Sequence, residues 1–98
     1  MINVSGGIKK MTADAQVCFK SLPVHYNKEK NGLKSNTVRR FNTFTPLEDI
    51  REIILLQFIE GKIKDLEIVI ENTETQEAFK RIVLDVTYFS GIYIISWG

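Results

Sequence analysis

The hydrophobic period of this chain changes at Gly61, and that change limits what it can fold into. Before the glycine, Leu47, Ile50, Ile54 and Phe58 recur at helical spacing, with Ile53 and Leu56 widening the face. That spacing predicts a deeply packed helix over 46–60. After the glycine, Leu66, Ile68 and Ile70 alternate with Glu67, Val69 and Glu71, the period-two pattern of a half-buried strand. The polar run 72–77 reads as a turn, and a strand is expected over 79–89, with Ile82, Leu84, Val86 and Tyr88 facing inward together. Ser90-Gly91 then turns the chain into a last strand, 92–97. A helix followed by a three-strand meander indicates an α+β protein built on a small curled antiparallel sheet.

The earlier part adds shorter elements. QVCFKSL (16–22) suits a strand closed by Pro23, and 23–31 suits a short helix with proline in its first turn and Gly32 just past its end. The segment 36–41 is again β-prone. Thr45-Pro46-Leu47-Glu48 has the form of a capping box, with Asp49 adding negative charge near the positive end of the helix dipole. The whole, 1–98, is expected to be one domain with one long and one short helix, its first eight residues loosely held.

Composition narrows the function classes. The chain is 44% hydrophobic and 26% charged, too apolar for a disordered protein. Its longest aliphatic run, Ile53-Ile54-Leu55-Leu56, is far shorter than a membrane span, and MINVSGGIKK lacks the apolar stretch of a secretory leader. Cys18 is the one cysteine and His25 the one histidine, so no internal disulfide, thiolate cluster, metal or cofactor is expected, and the reading is of a cytoplasmic protein. Charge is divided along the chain: residues 1–44 carry +6 and residues 45–98 carry −5. The basic half would attract an anionic partner, unless the two halves neutralise one another on folding.

The basic half contains a patterned stretch, Asn31-Gly32-Leu33-Lys34-Ser35-Asn36-Thr37-Val38-Arg39-Arg40. Gly32 allows a left-handed turn out of the helix. Thr37 and Arg39 are two apart on a strand, so both leave the same face, and Lys34 can reach over that face from the connecting loop. An ammonium, a hydroxyl and a planar guanidinium then converge on one cleft, with Asn36 close by. That set suits a phosphate, a carboxylate or the polar edge of a nucleobase. The alternative is that Arg39 makes a structural ion pair and Lys34 lies in solvent. His25, Tyr26, Lys28, Lys30 and Arg40 are candidates for a rim around the cleft. Tyr88 and Tyr93 flank a turn and are candidates for base stacking, and Trp97 reads as packing at the sheet edge.

A short helix ending in glycine, then lysine, then a strand bearing Thr and Arg resembles the ASCH domain family, whose fold is a PUA-like β-barrel. Gly32, Lys34, Thr37 and Arg39 occupy the places of its G-x-K-x-x-[E or T]-x-R signature. Residues 79–97 are similar to the family's closing strand pair. The resemblance implies binding of RNA or a modified nucleoside. In the branch with K-x-x-T-x-R it implies an amidohydrolase acting on acylated cytidines, with Thr37 as nucleophile, Lys34 as its activator and a glutamate completing the site. The chain departs from the family after Arg39, where a Gly-Asp turn is replaced by the capped helix. The glutamate is not marked by its neighbours: Glu48, Glu52, Glu71 and Glu77 all qualify. A separate reading, from size and composition, is a small phage or mobile-element protein that occupies a host protein through its acidic half.

Overall fold

The computed structural model describes residues 13–41 and 49–98. In chain order the elements are β1 (Ala15–Ser21), α1 (Pro23–Lys30), β2 (Asn36–Arg40), α2 (Ile50–Ile59), β3 (Leu66–Asn72), β4 (Ala78–Phe89) and β5 (Ile92–Trp97). The five strands form one curled, half-barrel sheet in the order β1-β3-β4-β5-β2. This is the expected α+β architecture.

One expectation about the sheet is corrected. It is not wholly antiparallel, because β1 and β3 pair in parallel from Ala15↔Leu66 to Ser21↔Asn72. The intervening α1, β2 and α2 carry the chain back to its starting end, as a parallel pair requires. The remaining pairs, β3–β4, β4–β5 and β5–β2, are antiparallel. β1 and β2 are therefore the two edges.

The alternation read in β3 is observed: Leu66, Ile68 and Ile70 are buried, along with Asn72. β4 behaves differently. A register shift between Val83 and Asp85 moves the inward face from Phe79 and Val83 to Val86. Ile82 and Leu84, expected inside, are instead exposed; Tyr88 keeps the face of Val86, opposite buried Tyr93, and is exposed only because it stands near the end of the strand. A bulge inserts one residue into a period of two, so every side chain beyond it changes face. Tyr93 is the tyrosine of the turn-flanking pair that enters the core, and its ring lies 4.8 Å from that of Tyr88. Trp97 is buried against Phe79, on a strand held between β4 and β2 rather than at an edge.

The second helix is shorter and less packed than its sequence implies. Asp49 is extended (φ −83°, ψ 118°) and caps α2, its carboxylate accepting from the Arg51 backbone N–H at 3.0 Å. The Arg51 guanidinium also donates to that carboxylate, at 2.9 Å from Nε. α2 is thus capped by Asp49 and has ten residues. Thr45, Pro46, Leu47 and Glu48 lie outside the described residues, as do the first eight. Only Leu55 is fully buried in α2, while Ile54, Leu56 and Phe58 are half-buried and Ile50 is 63% exposed. The helix packs over β1 and β4, and α1 packs over β3. Pro23 does more than close β1, since it opens α1 one residue after Leu22.

Candidate functional site

Gly32 fixes the departure of the chain from α1. Its φ of +79° allows a Schellman-type end, in which the Leu33 N–H donates to the Lys28 carbonyl at 3.0 Å and the Gly32 N–H to the Glu29 carbonyl. The Lys34 N–H donates to the same Lys28 carbonyl at 3.1 Å. Two residues later the chain enters β2, pinned to β5 through Thr37↔Ile95 and Arg39↔Tyr93. Ile95 and Tyr93 face the core, so their partners Thr37 and Arg39 point to the same side. The end of β1, the inner side of α1 and the start of β2 then enclose a cleft of about 290 Å³.

Lys34, Thr37 and Arg39 all line this cleft, with His25 at its exposed mouth. Two further lining residues are Ser21 and Glu29, both buried. They complete a connected polar network across three elements. Arg39 Nε donates to Thr37 Oγ1 at 3.0 Å, Nη1 to the Lys20 carbonyl at 2.8 Å and Nη2 to Ser21 Oγ at 2.8 Å. Ser21 Oγ in turn donates to Glu29 Oε1 at 3.1 Å, and Lys34 Nζ lies 3.8 Å from Glu29 Oε2. The Arg39 guanidinium also lies over the Phe19 ring, 4.8 Å from its centre. Burial pulls Arg39 below the usual guanidinium value and the Glu29 carboxylate pulls the other way, with Arg51 adding to the fall. It remains a cation.

Arg39 is thus held in place, with three of its N–H groups used inside the protein. By donating to the Lys20 carbonyl it also joins β2 to β1, the two open edges of the sheet. Arg39 and Lys20 line a second cavity as well, of about 330 Å³. Lys34 is tied less firmly, with its side chain about one-third exposed.

The other rim candidates do not gather at the cleft. Tyr26 is buried in the core, 5.3 Å from the Phe79 ring. Its burial there, first among several causes, raises its hydroxyl above the usual tyrosine value. Lys30 pairs with Glu77 at 2.8 Å, tying α1 to the β3–β4 turn. Lys28 and Arg40 are exposed and Asn36 is half-buried, and none of the three lines the cavity. Of the four glutamates that qualified by sequence, Glu48 is outside the described residues. Glu52 accepts from the Tyr93 hydroxyl at 2.8 Å, Glu71 lines the second cavity and Glu77 holds Lys30. Among the described residues, the carboxylate lining the cleft is that of Glu29.

Sequence reasoning missed Glu29 and Ser21 for different reasons. Ser21 follows Val17 and Phe19 at a period of two, so its inward position was readable from the strand pattern. Glu29 stands between two lysines on a helix without an apolar stripe, where nothing marks its burial. Its spacing of three from Tyr26, the other buried residue of α1, is the available hint, since residues so spaced share a helix face. Among the described residues, no group of three or more His, Cys, Asp or Glu side chains is arranged to hold a metal ion. None of their helices is long and apolar enough to cross a membrane. The chain matches no protein-family model, and comparison with curated proteins gives no match.

Proposed function

We propose that the cleft binds a base of RNA or a modified nucleoside, in the manner of an ASCH-type domain. The observation that carries this reading is the mixed character of the lining: the Lys34 ammonium, the Arg39 guanidinium and the Thr37 hydroxyl stand beside the buried Glu29 carboxylate. A phosphate or carboxylate offers only acceptors and would meet Glu29 as a like charge. The edge of a nucleobase offers donors and acceptors together, and so matches both halves of the lining. The volume agrees, since small-ligand pockets start at about 300 Å³. Lys20 and Lys34 near the mouth suit a phosphate outside the base site.

The test is an NMR titration of labelled protein with nucleosides and short RNA, at low and moderate salt. Saturable shifts at Lys34, Thr37 and Glu29 are expected. Glu29→Gln should weaken binding by about fivefold or more, as loss of a charged hydrogen-bond partner does. If no nucleoside or RNA perturbs these residues in folded protein, the reading fails.

Glu29 also favours a second reading, that of an amidohydrolase acting on acylated nucleosides. That chemistry needs a carboxylate near Lys34 and Thr37, and Glu29 is one, 3.8 Å from the Lys34 ammonium. Release of free acid from an N-acylated cytidine tests it, and an unchanged substrate after long incubation would refute it.

A further inference from the structure

We propose that the nucleophilic hydroxyl of this cleft is Ser21, with Glu29 as its base, and that it takes the acyl group of small esters or amides. The inference rests on the reading that a small ligand enters the cleft. A hydroxyl becomes a nucleophile when a neighbouring group receives its proton in the attacking geometry. Ser21 meets that condition, because its O–H already donates to Glu29 Oε1 at 3.1 Å. Thr37 does not: among the described residues, the hydrogen-bond partner of its Oγ1 is Arg39 Nε, a donor. Lys34, 3.8 Å from Glu29 Oε2, serves as the group that orients the base.

The surroundings of Ser21 fit the role. It is the last residue of β1, directly before the turn into α1, so its backbone is held at both sides. Arg39 Nη2 donates to Ser21 Oγ at 2.8 Å and disperses the negative charge that develops there. Lys34 and the N–H groups of Arg39 without a partner among the described residues are the donors available to an oxyanion.

The steps balance without a cofactor. Ser21 Oγ attacks the acyl carbonyl carbon while its proton passes to Glu29, and the carbonyl oxygen becomes the oxyanion. The intermediate collapses, the bond to the leaving alcohol or amine breaks, and Glu29 returns the proton to that group. Water then attacks the acyl-serine and gives a proton to Glu29, which passes it to Ser21 Oγ as the carboxylic acid departs. One water is consumed per bond cleaved.

The experiment is labelling of the whole protein with a fluorophosphonate, which forms a stable phosphonyl ester with an activated hydroxyl and releases fluoride. Adducts are counted by intact mass and located by peptide mapping. One adduct per chain on Ser21 is expected, absent in Ser21→Ala and at least tenfold slower in Glu29→Gln. An adduct on Thr37, or no adduct on wild-type protein with a folded NMR spectrum, overturns the proposal. Nucleoside binding is read separately by titration. Protein that binds but is not labelled defeats this inference alone, and protein labelled on Ser21 that binds no nucleoside defeats only the nucleoside reading.

Discussion

Arg39→Ala should cost the fold about 2–4 kcal/mol. The side chain makes three hydrogen bonds, to Thr37, Ser21 and the Lys20 carbonyl, and each such bond from a charged donor contributes about 1.5–3 kcal/mol. Its position over Phe19 adds about 0.5–1 kcal/mol. Removing the half-buried cation also recovers several kcal/mol of desolvation, which offsets much of that gross sum. What remains is still a large fraction of the roughly 5–15 kcal/mol available to a domain of this kind. Urea unfolding followed by the fluorescence of Trp97, the one tryptophan and a buried one, measures it. Arg39→Lys should recover about half the loss, since an ammonium cannot reproduce the three-way fork. Hydrogen exchange should show β1 and β2 losing protection before β3 and β4. A cost below about 0.5 kcal/mol, with protection of both edges unchanged, would refute the argument that this side chain joins them.

Three further outcomes follow from local geometry. Gly32→Ala should cost about 1 kcal/mol purely from its left-handed backbone, because no atom beyond the adjoining residues stands within 4 Å of the added methyl; urea unfolding at no cost would mean the turn is made otherwise. Asp49→Ala should cost about 1 kcal/mol through loss of the α2 cap. The hydrogen bonds from the Arg51 side chain, with help from its backbone N–H and charge, hold the Asp49 carboxyl below the usual range. The wild-type advantage is therefore full above about pH 4 and fades as pH falls through the lowered value; a difference that persists in strong acid contradicts this. Leu55→Ala should cost about 2–5 kcal/mol and Ile50→Ala under about 1, and calorimetry that reverses this order would place the buried face of α2 wrongly.

The sequence carried the parts of this fold that depend on local period and turn chemistry. Gly32 and Gly61, both at positive φ, close their helices where the residue pattern placed the stops. The strands after Gly61 are found at nearly the bounds read from alternation. What was not legible depends on partners distant in sequence. The bulge at Val83–Asp85 is fixed by the match to β5, so Ile82 and Leu84 gave a false inward pattern. The parallel pairing of β1 is decided by where the chain returns after two helices. Of the cleft, Lys34, Thr37 and Arg39 were visible because turn and strand spacing aligned them. Glu29 was not, since its burial is created by Ser21 and Lys34 from neighbouring elements.

The parallel pairing of the first strand sets the order in which the protein can assemble. Gln16 bonds to Glu67, 51 residues further along, while β3, β4 and β5 join through short turns. Contacts between near neighbours close fast, and those across long loops wait on them. The meander is thus the expected nucleus, with β2 added along β5 and β1 along β3 afterwards. During synthesis, Ser21, Glu29, Lys34, Thr37 and Arg39 all leave the ribosome before β3 and β5, the strands on which β1 and β2 pair. The residues of the cleft are made early, but the β2 side of the cleft can take its place only after β5 has been made.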